Sequence, residues 1–114
     1  TQPSAVAFDN EMERFLEEYD KRQLLEKLQT EIIPAEFPEQ KIAEADIDKY
    51  FNFALKRGFR HTEAIIDLVK AQIHLNDQEK LTQLIKQAED EFGDNFPIIV
   101  ANTVYEQAKT ERKG

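Results

Sequence analysis

Apolar residues recur along most of this chain at the three- and four-residue spacing of helices, and they are densest between Ile47 and Leu75. Stepped at 100° per residue, Ile47, Tyr50, Phe51, Phe53, Ala54 and Leu55 cover an arc of roughly 200°, wider than the ~100° stripe of an ordinary surface helix. That helix is expected to be buried on more than one side. Ala64, Ile65, Ile66, Leu68, Val69, Ile73 and Leu75 cover a similar arc on a second helix, leaving Asp67, Lys70 and His74 together on its opposite, wet face. Between the two, Gly58 suits a left-handed helix stop that lets Phe59 fold back onto Ala54. Thr62 follows as N-cap, with Glu63 at the positive end of the next helix. The stretch predicts an antiparallel helical hairpin.

Read in order, residues 1–7 lack pattern and form a loose lead-in, and from Asp9 the residues Met12, Phe15, Leu16 and Tyr19 make one stripe. The stripe then slips out of phase: its continuation would be Gln23, whereas the next apolar residues are Leu24, Leu25, Leu28, Ile32 and Ile33. A break near Asp20 and a second helix from about Lys21 to Ile33 follow, with Pro34 as its stop. Ala35 to Gln40 reads as an extended connector whose Phe37 plugs into the core. Beyond the hairpin, Asp77 caps a surface helix carrying Leu81, Leu84, Ile85, Ala88 and Phe92, and Gly93 ends it. Pro97 is pre-set for a first helical position. The segment after it is rich in β-branched residues, but Ile98, Ala101, Val104, Tyr105 and Ala108 keep helical spacing, so a last helix is expected to about Thr110, within a frayed tail over 109–114.

At an offset of 34 residues Ile47 matches Leu81, Tyr50 Leu84, Phe51 Ile85, Ala54 Ala88, Ile65 Ile99 and Ile66 Val100. This is the spacing of tetratricopeptide helix pairs. The glycine and small-residue pattern of that repeat is missing, however, and Gly58 falls opposite Phe92, so two similar hairpins packed together explain the matches as well. The expected fold is all-α, a compact bundle of five or six helices built from antiparallel hairpins, with residues 1–114 as a single domain.

Charge changes the picture of partners. The 114 residues carry a formal net charge of −8. Phosphate backbones are repelled overall, direct nucleic-acid binding is disfavoured, and a protein with a basic surface is the natural partner. There is no cysteine, hence no disulfide or thiolate metal site, and the short apolar runs predict no membrane insertion.

Little in the chain suggests chemistry. Neither His61 nor His74 has a second strong ligand at helical metal-site spacing, and both read as solvated surface histidines. The few glycines stand where helices stop, not in a phosphate-cradling loop, and the one serine, Ser4, has no base in view. Carboxylates are plentiful but fall on faces expected to be wet, where a raised pKa is not to be had. No enzyme, cofactor or metal is expected. Two clusters are candidate partner-binding residues. Glu11, Glu13, Glu17, Glu18 and Asp20 form the most acidic face and suit a basic protein, the plainer reading being a solvated helix surface. Lys56, Arg57 and Arg60, beside His61, form the one basic spot, fit to receive an anion or a partner's carboxylates, or merely to cap the negative end of a helix.

From Tyr50 to Leu75, an aromatic, Ala54, Gly58-Phe59 and then Thr62-Glu63 opening an apolar helix resemble small helical proteins encoded beside type VI secretion effectors in Gram-negative bacteria. Phe15-Leu16, the run from Leu24 to Leu28 and Phe37-Pro38 are similar in order to that family's leading half. The resemblance implies a bacterial, cytoplasmic, non-enzymatic role in holding, loading or neutralising an effector, and it carries over no catalytic residue. The sequence reading is therefore an interaction module, an immunity-type inhibitor or adaptor acting through its acidic face. The alternatives are a nucleic-acid mimic that binds a DNA-binding protein, and a scaffold that oligomerises through Phe37, Ile99 and Val100.

Overall fold

The computed structural model describes residues 21–93 and 95–113, and every regular element among them is helical. Helix α1 spans residues 21–36 as three consecutive pieces: α-helical Lys21–Lys27, a π-helical turn Leu28–Ile32, and α-helical Ile33–Glu36. Then follow α2 (Glu44–Lys56), α3 (Thr62–Leu75), α4 (Gln78–Phe92) and α5 (Pro97–Lys113).

Local chemistry explains most of the boundaries. At the end of α2 the Phe59 amide bonds Ala54 O at 3.0 Å and the Gly58 amide bonds Leu55 O at 3.0 Å, with Gly58 at φ +95°. This is the Schellman stop expected from the sequence, and it drives Phe59 into the core at 2% exposure. Asp77 caps α4, its carboxylate accepting from the Lys80 amide at 3.1 Å. Pro97 opens α5. The N-cap of α3 is His61, not Thr62: Thr62 is already in the helix, and no side chain bonds the cap.

One expectation about α1 is overturned. Pro34 does not stop α1. The turn before it widens, with the Ile33 amide bonded to Leu28 O five residues back, and the wider turn makes room for a ring that would clash in a regular α-helix. The helix therefore runs to Glu36, and only then does Phe37 leave it, buried at 5% exposure. At the other end α5 is helical to Lys113, past the expected end near Thr110, with Lys109 paired to Glu106 at 3.0 Å.

Gly93 terminates α4 at φ 89°, ψ 159°, a conformation that only glycine adopts without strain, and nothing lies within 4 Å of where a Cβ would stand. Gly93→Ala should therefore cost about 1–3 kcal/mol through the backbone alone, read as a lower denaturant midpoint at unchanged slope.

The hairpins α2–α3 and α4–α5 stack so that α3 lies most extensively against α5. These two run in the same direction, since Asp67 bonds Asn102 and, one turn on, Lys70 lies over Tyr105. Their first helices keep the 34-residue offset, with Ile47, Phe51 and Ala54 buried like Leu81, Ile85 and Ala88. The second helices do not: α4 has 15 residues against 13 in α2, and the turn after it is shorter, so α5 is displaced from the 34-residue register. Their burial matches instead at 36: Ala64 with Val100, Ile65 with Ala101, Leu68 with Val104, Val69 with Tyr105 and Gln72 with Ala108. The expected pair Ile65 and Ile99 fails, the first fully buried and the second 45% exposed.

The core runs through α3, which buries seven of its residues, whereas α2 buries only Ile47, Phe51 and Ala54. Burial on several sides thus holds for α3 and only in part for α2. Gln72, the one buried polar residue among the described residues, donates to the Tyr50 carbonyl at 3.0 Å and so ties α3 to α2.

Candidate functional site

The residues singled out by sequence separate cleanly. Glu11, Glu13, Glu17, Glu18 and Asp20, like the lead-in over 1–7, lie outside the described residues. Lys56 is the basic residue in the last turn of α2 and Arg57 its C-cap, so both stand at the negative end of that dipole. Arg57 also reaches Glu89 of α4 at 3.3 Å, linking the two hairpins at the surface. Arg60 and His61 are half-buried and engaged with other groups. Arg57, Arg60 and His61 are thus engaged by the fold, whereas Lys56 is exposed.

The strongest concentration of polar contacts is elsewhere, on the face of α3 expected to be wet. Glu36, at the end of α1, places its carboxylate between α3 and α5: Tyr105 Oη donates to Glu36 Oε1 at 2.5 Å, and His74 Nε2 stands 2.6 Å from Glu36 Oε2. An ionised carboxylate only accepts, so the imidazole donates from Nε2. Lys70 Nζ lies 3.5 Å from Glu36 Oε1 and 4.3 Å from the Tyr105 ring centre, and Lys109 Nζ lies 4.5 Å from that same centre. Phe37 covers the cluster, its ring 4.6 Å from that of His74. The His74 and Lys70 side chains are only 15% and 17% exposed, so the solvated face read from periodicity is in fact covered by α5 and by the end of α1.

The electrostatics follow from this packing. Burial alone would raise the Glu36 carboxyl, but the hydrogen bonds from Tyr105 and His74, with the charge of Lys70, outweigh it and hold the group below the ordinary carboxylate value. Tyr105 moves the other way: burial, then the bond to Glu36 and the nearby negative charge, push its phenol well above the usual range. At neutral pH the first is firmly ionised and the second firmly protonated, an arrangement suited to a static clasp and not to proton exchange. On the same face burial raises Asp67, opposed by Lys70 and by its bond to Asn102.

The second feature is a groove of about 1200 Å³ between α1 and α2, with Leu25, Ala45 and Ile47 among its apolar lining and Lys21, Arg22, Glu26, Glu44 and Asp48 along its charged sides. Lys21, on its wall, ties α1 to α2: its ammonium bonds Asn52 Oδ1 at 3.2 Å and lies 5.7 Å from the Phe51 ring centre. A third surface feature is apolar: Phe96, Ile98 and Ile99, at the start of α5, are 52%, 40% and 45% exposed. Of the three residues expected to be left over for oligomerisation, only Ile99 is available, since Phe37 and Val100 are core.

Among the described residues no group of histidines and carboxylates is arranged to hold a metal ion, and no helix is long and apolar enough to cross a membrane. Comparison with protein-family models, with curated proteins and with solved structures gives no match.

Proposed function

We propose that this chain is a non-enzymatic protein-interaction module, most concretely an immunity-type inhibitor or adaptor that holds a bacterial toxin or effector with a basic surface. The observation that carries the reading is where the charge sits. Residues 1–20 hold six acidic residues against one arginine, and so supply five of the chain's eight net negative charges. The rest is nearly balanced, a stacked-hairpin scaffold in which Arg57, Lys70, Lys80 and Lys109 pair with Glu89, Glu36, Glu111 and Glu106. Stacked helical hairpins commonly serve as platforms that present one surface to a partner, and an acidic surface gives such a platform fast, selective capture of a basic one. The resemblance to small helical proteins beside secretion effectors points the same way.

The test compares two immobilised baits, the native chain and a variant with lysine replacing Glu11, Glu13, Glu17 and Glu18, in lysate of the source cell. A partner held at equal stoichiometry by the native chain and lost from the variant, while circular dichroism stays unchanged, is the expected result. Equal capture by both baits overturns the acidic-face reading. Release of the partner by added duplex DNA would instead favour a nucleic-acid mimic. A second reading, a self-associating scaffold, is favoured by the exposure of Phe96, Ile98 and Ile99. It requires a concentration-dependent mass in sedimentation that Ile99→Glu abolishes.

A further inference from the structure

We infer that the exposed start of α5, at Phe96, Ile98 and Ile99, is a docking face for a basic amphipathic helix of a partner protein. The apolar side of that helix covers these three residues, and its lysines or arginines meet the carboxylates of Glu63, Asp67 and Glu106. The inference rests on the reading above that the partner is basic, and goes beyond it by giving the contact a second surface, on α3 and α5 themselves.

The argument starts from what α5 leaves uncovered. The helix packs against α3 and α4, burying Val100, Ala101, Val104, Tyr105 and Ala108, and the helical steps between them leave one outward face. That face begins with Ile98 and Ile99, 40% and 45% exposed, and runs on through Asn102, Glu106 and Thr110, all exposed. Phe96, 52% exposed, belongs to the same turn, since its carbonyl accepts from the Val100 amide at 2.9 Å. The other large apolar side chains among the described residues are buried or half-buried, so the exposure is gathered in one place. Isoleucine gains nothing for helix formation over a polar residue at such a position, and apolar side chains gathered on a surface mark a contact site.

The charge beside the patch selects what covers it. Helices α3 and α5 run in the same direction with Asp67 bonded to Asn102, so one turn earlier on each Glu63 stands level with Ile98. Burial raises the Asp67 carboxyl, and the negative charges of Glu63 and Glu106 raise it further, so all three carboxylates share one strip beside and beyond the apolar turn. The nearby bases do not cancel it. Lys70 is drawn to Glu36 and the Tyr105 ring, Arg57 to Glu89, and Arg60 is engaged with other groups. Lys109 pairs with Glu106, which offsets one charge of the three. An apolar centre with a polar margin is the make-up of a protein-binding surface, and a negative margin is complementary to an apolar anchor flanked by bases. Ile98, Asn102 and Glu106 recur every four residues along one ridge, which a second helix follows with side chains at the same spacing. A second copy would bring the same carboxylates against one another, and an anionic lipid surface is repelled by them, so charge favours neither.

The probe is a synthetic amphipathic helix of leucine and lysine, titrated into the isotope-labelled full-length chain and followed by amide NMR. A helix of leucine and glutamate with the same spacing is the control. The lysine helix should shift the amides of residues 62–67 and 96–106, and the glutamate helix should not. Ile98→Ser combined with Ile99→Ser should weaken the lysine helix by about tenfold or more, as for anchor residues, with the circular dichroism spectrum unchanged. Glu63→Gln combined with Glu106→Gln should weaken it several-fold and flatten its salt dependence. Shifts centred on another face, or binding that ignores the serine substitutions, overturn the inference, since charge alone would then hold the probe. So do equal binding of both helices, shifts of the same amides by neutral lipid vesicles but not by the lysine helix, and shifts that grow with protein concentration in the absence of any probe, which give the patch to a membrane or to a second copy. Failure of the probe on a chain that still holds its lysate partner sinks this inference and leaves the first reading standing. A chain that seats the probe here but holds no lysate partner supports this surface and sinks that reading instead.

Discussion

Phe51→Ala should remove about 3–5 kcal/mol of stability, the range for deleting a buried aromatic from a close-packed core. Phe51 is fully buried and is the largest fully enclosed side chain among the described residues. It lies on α2, the helix that α3 packs against on one side and α1 on another. Its ring also receives the Lys21 ammonium at 5.7 Å, so truncation loosens the α1 contact as well as the α2–α3 seam. With a domain of this size holding about 5–15 kcal/mol in total, the loss is a third or more of the whole. It should show as a large fall in urea midpoint with little change in slope. Phe96→Ala is the control: Phe96 is 52% exposed, and its loss should change stability by less than about 0.5 kcal/mol.

What could be read from the sequence was whatever the local chain decides. Gly58 and Phe59 stop a helix through bonds made within five residues, Asp77 caps through one made within three, and Pro97 starts a helix by its own ring. The stripe of α4 predicts its burial because α4 packs with one face only, at Leu81, Leu84, Ile85 and Ala88. The first-helix repeat was likewise visible, since Ile47, Phe51 and Ala54 recur in kind 34 residues later. Hidden were the features set by distant partners. Nothing near Pro34 in sequence announces a π turn, because whether a helix widens or ends there depends on what waits to bury Leu28 and Ile33 on either side.

The face of α3 was misread for the same reason. Asp67, Lys70 and His74 are polar at helical spacing, and periodicity can only call such a stripe wet. Its cover arrives from Glu36, 38 residues before His74, and from Tyr105, 69 residues after Glu36. Helical matching also failed on the second helices, where the different lengths of α4 and of the turn after it moved the burial register from 34 to 36 and left Ile99 outside. Of the candidate partner-binding residues, the basic three sit where the sequence put them, at the end of α2 and the turn after it. What the sequence did not reveal is that Arg57 is drawn to Glu89.

The clasp at Glu36 is where charge, and not packing, should dominate. Glu36→Gln keeps the shape but gives up a carboxylate that accepts from Tyr105 and His74 and faces Lys70, and it should cost about 2–3 kcal/mol at pH 7, the scale of hydrogen bonds to a charged group. The pH dependence identifies the cause. The folded-state pKa of Glu36 lies below the ordinary value of 4.5, so its contribution is fully present above that value and is lost as pH falls through the lowered folded value. The gap between the native chain and Glu36→Gln should hold steady above pH 5 and close as the pH is taken below the ordinary carboxylate value. Because both proteins carry the same other carboxylates, the difference between their urea midpoints isolates this one. Tyr105→Phe removes one of the bonds that lowers Glu36, and should therefore move the closing of the gap to higher pH. A gap that stayed constant down to pH 3 would mean that the substitution acts through packing, and that Glu36 holds α1 against α3 and α5 by fit alone.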